Sequence, residues 1–297
     1  MLYSFFHSCE YEDYAESALV IDSHCHILPP SFRDRRAEIA QRDSTFAALL
    51  SDPNARMASA DDLLAAMDRD GVDQAVVMGM GWSDHQVAVE ANDYIIQAVA
   101  DNPERLTGFC SVNPAWSELA VAEAQRCFDA GLVGIGELHA DTQGFDITHV
   151  AALAPVMELA RSDRRPVLVH ASEPVGHQYP GKGANTPDKL YRFIQNFPGN
   201  VIICAHWGGG LPFYSLMPEV KESLKNVYFD SAASPFLYRP EVFGAVSELA
   251  GAGKVLFASD YPLLEMSRPL EQARSAGLAP DLEAALLTGN GAKLLGL

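Results

Sequence analysis

The sequence predicts an α/β fold, a (β/α)8 barrel of the TIM type. Three observations carry that expectation. Eight short, mostly apolar runs recur along 297 residues. Helix-patterned stretches separate them. Residues of metal-ligand type stand at the C-terminal ends of several runs, the face on which such barrels place their active sites. Strands buried on both faces read as continuous apolar runs, as these do. A doubly wound open sheet is the competing architecture, but no glycine-rich phosphate fingerprint follows the first strand.

In order, the first strand is Leu19-Val20-Ile21-Asp22-Ser23-His24-Cys25-His26. A long polar segment, 29–59, follows and reads as a functional loop containing some helix. Asp61-Asp62-Leu63-Leu64-Ala65-Ala66-Met67 opens a helix with acidic residues in its first turn, closed by Gly71. Further strands are expected at 73–79, 105–112, 132–138, 166–170, 200–206, 227–230 and 254–260. Helices are expected at 86–100, 117–130, 148–162, 187–196, 211–224 and 241–250, with more closing the chain. The whole is read as one domain, 1–297, with residues 1–18 as an extension before the first strand.

Composition narrows the class. An apolar fraction of 48% suffices for a large core. With 39 acidic against 21 basic side chains, the net charge of −18 disfavours nucleic acid and anionic membrane surfaces as partners. Cys9, Cys25, Cys110, Cys127 and Cys204 are odd in number and form no CxxC pair, so a reducing, cytoplasmic setting is expected. No apolar run approaches 18 residues, and residues 1–16 lack the pattern of a signal peptide. A small molecule is the expected partner, and a homo-oligomer is compatible with the sequence.

Six residues carry the chemistry. His24 and His26 end the first strand at i, i+2, so their imidazoles share a face, about 7 Å apart along the chain. Glu137 ends the fourth strand, His170 the fifth, His206 the sixth and Asp260 the eighth. Imidazole nitrogen and carboxylate oxygen suit zinc and similar divalent ions. A catalytic site of this kind lowers the pKa of a bound water, and a neighbouring carboxylate, here Asp260, takes its proton. Asp22 shares the parity of the histidines and is expected to orient an imidazole. Cys25 should pack under a helix, and Cys204, sharing parity with His206, should face the barrel interior. Trp207-Gly208-Gly209-Gly210 shapes a loop. His7, His85 and His149 read as solvated.

This ordered set resembles the amidohydrolase superfamily, and within it the amidohydrolase-related branch similar to the aminocarboxymuconate-semialdehyde decarboxylases. The resemblance rests on Ile21-Asp22-Ser23-His24-Cys25-His26, Val169-His170, Ala205-His206-Trp207-Gly208-Gly209, Ala258-Ser259-Asp260-Tyr261-Pro262 and Gly289-Asn290-Gly291-Ala292-Lys293-Leu294-Leu295-Gly296. It implies that His24, His26, His170 and Asp260 bind a first metal, most simply zinc. His206 would then bind a second ion or polarise the substrate. The run Gly134-Ile135-Gly136-Glu137-Leu138 is similar to that of glutamate-bridged hydrolases, so one ion, with room for a second, is expected. The resulting expectation is a metal-dependent hydrolase of an ester, lactone or amide-type carbonyl, with Asp260 and His206 catalytic. Its alternative is a non-oxidative decarboxylase or hydro-lyase acting on a carboxylated small molecule. Substrate contacts are sought in His139, in the loop 172–186 with His177 and Lys182, in Arg33, Arg35 and Arg36, and in Arg239 and Tyr261.

Overall fold

The computed structural model describes residues 19–297. The extension assigned to 1–18, with Cys9 and His7, lies outside the described residues. Eight parallel strands follow one another in the order β1 to β8. They are β1 Ile21–His26, β2 Gln74–Met78, β3 Leu106–Cys110, β4 Gly134–Leu138, β5 Val167–Val169, β6 Ile202–Cys204, β7 Val227–Asp230 and β8 Val255–Leu256. Helices lie between successive strands, so the expected (β/α)8 barrel is what the chain forms.

Closure happens where β8 ends early. The chain from 257 to 261 runs beside β1: Ser23 N–H donates to the Phe257 carbonyl at 2.8 Å and His26 N–H to the Tyr261 carbonyl at 2.7 Å. Asp260 N–H donates to the His24 carbonyl at 3.0 Å. The eighth run is therefore shorter as a strand than the apolar pattern suggested, because its last residues turn to join β1.

Strand alternation divides the core. Val76, Met78, Leu168, Ile203, Ala205 and Leu256 share one cluster with Phe109. Their alternate neighbours Val77, Val167, Val169, Cys204 and Phe229 pack with the surrounding helices. Cys25 belongs to this second set, as its parity requires. Cys204 does too, which corrects its expected interior position. His206 lies beyond the end of β6 with φ 54°, so strand parity no longer relates the two residues.

The stretch expected as a helix at 211–224 differs as well. A left-handed run, His206 to Gly210 with every φ positive, precedes 3-10 turns ending at Leu216, and a helix forms only over Pro218–Ser223. Three glycines permit that run, and Pro212 and Pro218 limit regular helix around it. At Gly209 a Cβ would meet the Ser172 carbonyl oxygen at 2.4 Å, so only glycine lets this turn approach the segment after β5 so closely.

The polar segment after β1 folds into three short helices, Ser31–Asp34, Arg36–Arg42 and Ser44–Leu50. Phe32, Ile39, Phe46 and Leu50 form with Trp82 a satellite core that holds this segment over the barrel mouth. Cys25, Cys110, Cys127 and Cys204 are buried free thiols. Among the described residues, no helix is long and apolar enough to cross a membrane.

Candidate metal centre and catalytic cavity

Two triads of ligand-type side chains meet at the C-terminal mouth. His24, His26 and Asp260 form one, and Glu137, His170 and His206 the other, with the ligand atoms of each within 4.8 Å of one another. All six side chains are buried. His170 stands with Glu137 and His206, in the triad next to the one formed by His24, His26 and Asp260.

The first triad presents lone pairs to one point. His26 Nδ1 is 3.0 Å from the Gly79 carbonyl, which only accepts, so Nδ1 carries the hydrogen and in the neutral ring Nε2 is bare. His24 Nδ1 is 2.9 Å from Asp230 Oδ2, which fixes the same tautomer in the neutral ring. The two Nε2 atoms face each other at 3.1 Å, and Asp260 Oδ1 lies 3.4 Å from that of His26. Two bare nitrogens at this distance repel unless a cation or proton lies between them. Ligands each about 2.1 Å from one ion stand roughly 3.0–3.4 Å apart, so the donor set fits a divalent metal.

Glu137 joins the triads. Its Oε1 accepts from His170 Nδ1 at 2.9 Å and lies 3.5 Å from His206 Nε2. Its Oε2 stands 3.7 and 3.8 Å from Nε2 of His24 and His26. Burial would raise the Glu137 pKa, yet the surrounding imidazoles of His170, His206 and His24 hold it well below the carboxylate range. In the metal-free protein the carboxylates act in the opposite sense on the rings. Burial lowers the affinity of His24 for a proton, but Asp230 and Glu137 raise it well above the usual histidine value. For His206, Glu137 and Asp260 outweigh burial and lift the pKa to about 9. Asp260, despite burial, is held at about 2 by His26, His206 and His24.

His206 and Asp260 share a backbone signature. Both are non-glycine residues at positive φ, 54° and 66°. Such conformations persist only where surrounding contacts fix them, commonly at functional sites. The His206 ring is oriented by Nδ1 near the Ala232 carbonyl at 3.1 Å, while Trp207 is anchored through its indole N–H on Ser234 Oγ at 3.0 Å.

A cavity of about 580 Å³ opens above the triads. His26, Glu137, His139, His170, His206 and Asp260 form its floor. Its wall is largely apolar, with Leu49, Leu50, Met80, Phe236, Leu237 and Leu263, joined by Asn54 and by Arg56, whose guanidinium donates to Glu265 Oε1 at 2.6 Å. Of the expected substrate contacts, His139 and His177 line this cavity. His139 stacks on His170 with ring centroids 4.0 Å apart, and neither of its ring nitrogens has a hydrogen-bond partner among the described residues. Burial and the charge of His170 push its pKa down to about 3.

The other expected contacts are engaged elsewhere. Lys182 Nζ donates to the carbonyls of Val175 and His177 at 2.7 and 2.9 Å, bracing its own loop. Arg239 is 87% exposed beside Glu241, and the Tyr261 hydroxyl donates to the Asp62 carbonyl at 3.2 Å. Arg33 pairs with Asp62, Arg35 with Glu90, and Arg36 with the carbonyls of Leu50, Asp52 and Ala55. Asp22 binds backbone rather than an imidazole: Oδ1 accepts from Ser259 N–H at 2.9 Å and His24 N–H at 3.2 Å. His149 is exposed, and His85 is half-buried against Trp116.

Two residues escaped the sequence reading. Asp230, at the end of β7, offered the same signal as the other strand-end ligands, in Val227-Tyr228-Phe229-Asp230. Arg56, within the long loop, offered no local signal.

The Amidohydrolase family model (Amidohydro_2) matches residues 21–297. The chain belongs to the amidohydrolase family. Among curated relatives of this amidohydrolase, a 2-amino-3-carboxymuconate-6-semialdehyde decarboxylase of Dictyostelium discoideum is 25% identical, over 94% of this chain and 92% of its own. Among solved structures, the 5-carboxyvanillate decarboxylase of Sphingomonas paucimobilis superposes with a TM-score of 0.77 at 19% identity, covering 95% of this chain and all of that one. The 5-carboxyvanillate decarboxylase of Novosphingobium aromaticivorans, complexed with manganese and 4-hydroxy-3-methoxy-5-nitrobenzoic acid, gives a TM-score of 0.77 at 18% identity, covering 95% and 97%. These likenesses share the barrel. Hydrolysis, expected from Glu137, is overturned by these comparisons: the relative aligned along nearly the whole chain is a decarboxylase.

Proposed function

We propose that this amidohydrolase is a metal-dependent, non-oxidative decarboxylase of a small unsaturated or aromatic carboxylic acid. One observation carries the reading: an apolar-walled cavity ends on a convergent imidazole and carboxylate floor, in a chain aligned over 94% of its length with a decarboxylase. The reaction balances as R–CO2⁻ + H⁺ → R–H + CO2. The carbon–carboxylate bond breaks, its electron pair stays on carbon, and a proton replaces CO2.

His24, His26 and Asp260 would hold the ion, with His170 and Glu137 beside them. When bound, the divalent ion supplies a positive charge that fixes the substrate and draws electron density from the breaking bond. Zinc suits this donor set; manganese, present in the Novosphingobium complex, suits it through the carboxylates. The apolar wall of Leu49, Met80, Phe236 and Leu263 keeps water from a carboxylate that must lose its charge. Arg56 lines the cavity while paired with Glu265, and would exchange that partner for a second acidic or phenolic group of the substrate. His206 is the group that gives a proton to carbon: its Nδ1 is held by the Ala232 carbonyl, leaving Nε2 towards the floor. Asp260 stays ionised and keeps that proton in place.

The test is to load the purified protein with Mn²⁺ or Zn²⁺ and offer hydroxybenzoates, carboxyvanillate and aminocarboxymuconate semialdehyde in D2O. CO2 release with one deuterium at the vacated carbon is expected. Failure of every acid with protein shown to hold stoichiometric metal would sink the reading.

A further inference from the structure

We infer that Asp230 is the positioning residue that joins the two triads, setting the metal-facing nitrogen of His24 and the backbone turn that aims His206. The inference rests on the metal site proposed above. Asp230 is fully buried and does not line the cavity, so it touches neither substrate nor solvent. Its Oδ2 accepts from His24 Nδ1 at 2.9 Å. Its Oδ1 accepts from the backbone N–H of His206 at 2.9 Å and of Ala232 at 3.1 Å. One carboxylate thus serves a ligand of the first triad through its ring and a member of the second through its main chain.

Both jobs need an acceptor. With the hydrogen held on Nδ1, the Nε2 lone pair of His24 faces that of His26, as a shared ion requires. His206 sits at φ 54° and begins four more residues of left-handed backbone. The hydrogen bond from its N–H to Asp230 anchors the start of that turn. The same segment also receives the His206 ring at the Ala232 carbonyl, so ring and backbone rest on one support. All three partners of Asp230 are donors. An amide of the same shape has one oxygen, so it serves His24 or the turn, and its NH2 opposes the other.

The test uses Asp230→Asn in the full-length protein, with Mn²⁺ as the probe. Affinity for Mn²⁺ is expected to fall roughly 10–100-fold, while the metal-free protein melts cooperatively like the parent. A second measurement needs no variant. In zinc-loaded protein with ¹⁵N-labelled histidine, His24 should show a protected Nδ1 proton. If Asp230→Asn folds, that proton should lose protection while the His26 Nδ1 proton, held by Gly79, keeps its own; a general structural role would affect both alike. Unchanged Mn²⁺ affinity in the variant, or a bare His24 Nδ1 in the parent, overturns the inference. A parent that binds neither metal instead sinks the metal reading itself, and this inference with it.

Discussion

The floor of the cavity is carried by strand ends and the residues just beyond them, whereas its wall is carried by loops and short helices between the strands. His26, Glu137, His170, His206 and Asp260 are each at most 7% exposed, and second residues hold them: Gly79, Asp230, Ala232 and the His24 carbonyl. Phe236 and Leu263 of the wall are 44% and 56% exposed and rest on segments that lie outside the strands. A buried polar group is costly unless each hydrogen bond is met, so the floor tolerates few alternatives. An apolar wall asks only for shape, and loops vary shape at little cost to the barrel.

The difference predicts separate failures. The largest belongs to the floor: His26→Ala removes one of two facing nitrogens and should abolish stoichiometric metal and activity together, by elemental analysis and CO2 release. Metal retained at parental affinity would place the ion elsewhere.

Next comes the response of the metal-free protein to pH. His206 is raised from 6.5 to about 9, so its stabilising proton is fully present below pH 6.5 and is lost towards about 9. Asp260 is lowered from 3.8 to about 2, so its contribution is present above 3.8 and lost as pH falls through about 2. Chelated protein should therefore show a falling Tm between pH 6.5 and 9, and again below pH 4, in a thermal melt. A flat profile from 6.5 to 9 would mean that the triads do not share charge as described.

A wall change should leave metal alone. Arg56→Met is expected to raise KM about tenfold, the loss of one charge-assisted hydrogen bond at a partly exposed site. Metal content should not change; if it does, floor and wall are not independent. The smallest effect is expected at Arg239, whose guanidinium is solvated beside Glu241. Arg239→Ala should alter stability by no more than about 0.5 kcal/mol and leave KM as it was, in denaturant titration and kinetics.

What was legible in the sequence follows the same division. Strand ends were visible because apolar runs stop at a polar residue, which is how His24, His26, Glu137, His170, His206 and Asp260 were found. Asp230 fits that rule equally well, but a lone carboxylate after Tyr228-Phe229 does not by itself say that it reaches a ring on β1. Substrate contacts differ: His139 and His177 line the cavity, while Lys182 and Tyr261 bond to their own surroundings and Arg239 is solvated beside Glu241. Nothing in the local sequence says which carbonyl will reach a cation first. Glu137 was read as a sign of hydrolysis because its neighbours in sequence suggested a bridge between ions, whereas the relative aligned along the chain is a decarboxylase.

By itself the sequence determined the barrel and the residue types of its floor, because strand periodicity and burial act over a few residues at a time. Only the tertiary structure decided that His170 stands with Glu137 and His206, that Asp230 spans both triads, and that Arg56 reaches the cavity. Those relations join residues 24, 137, 206 and 230, distant along the chain, and depend on barrel closure and on a left-handed turn whose path no local pattern specifies.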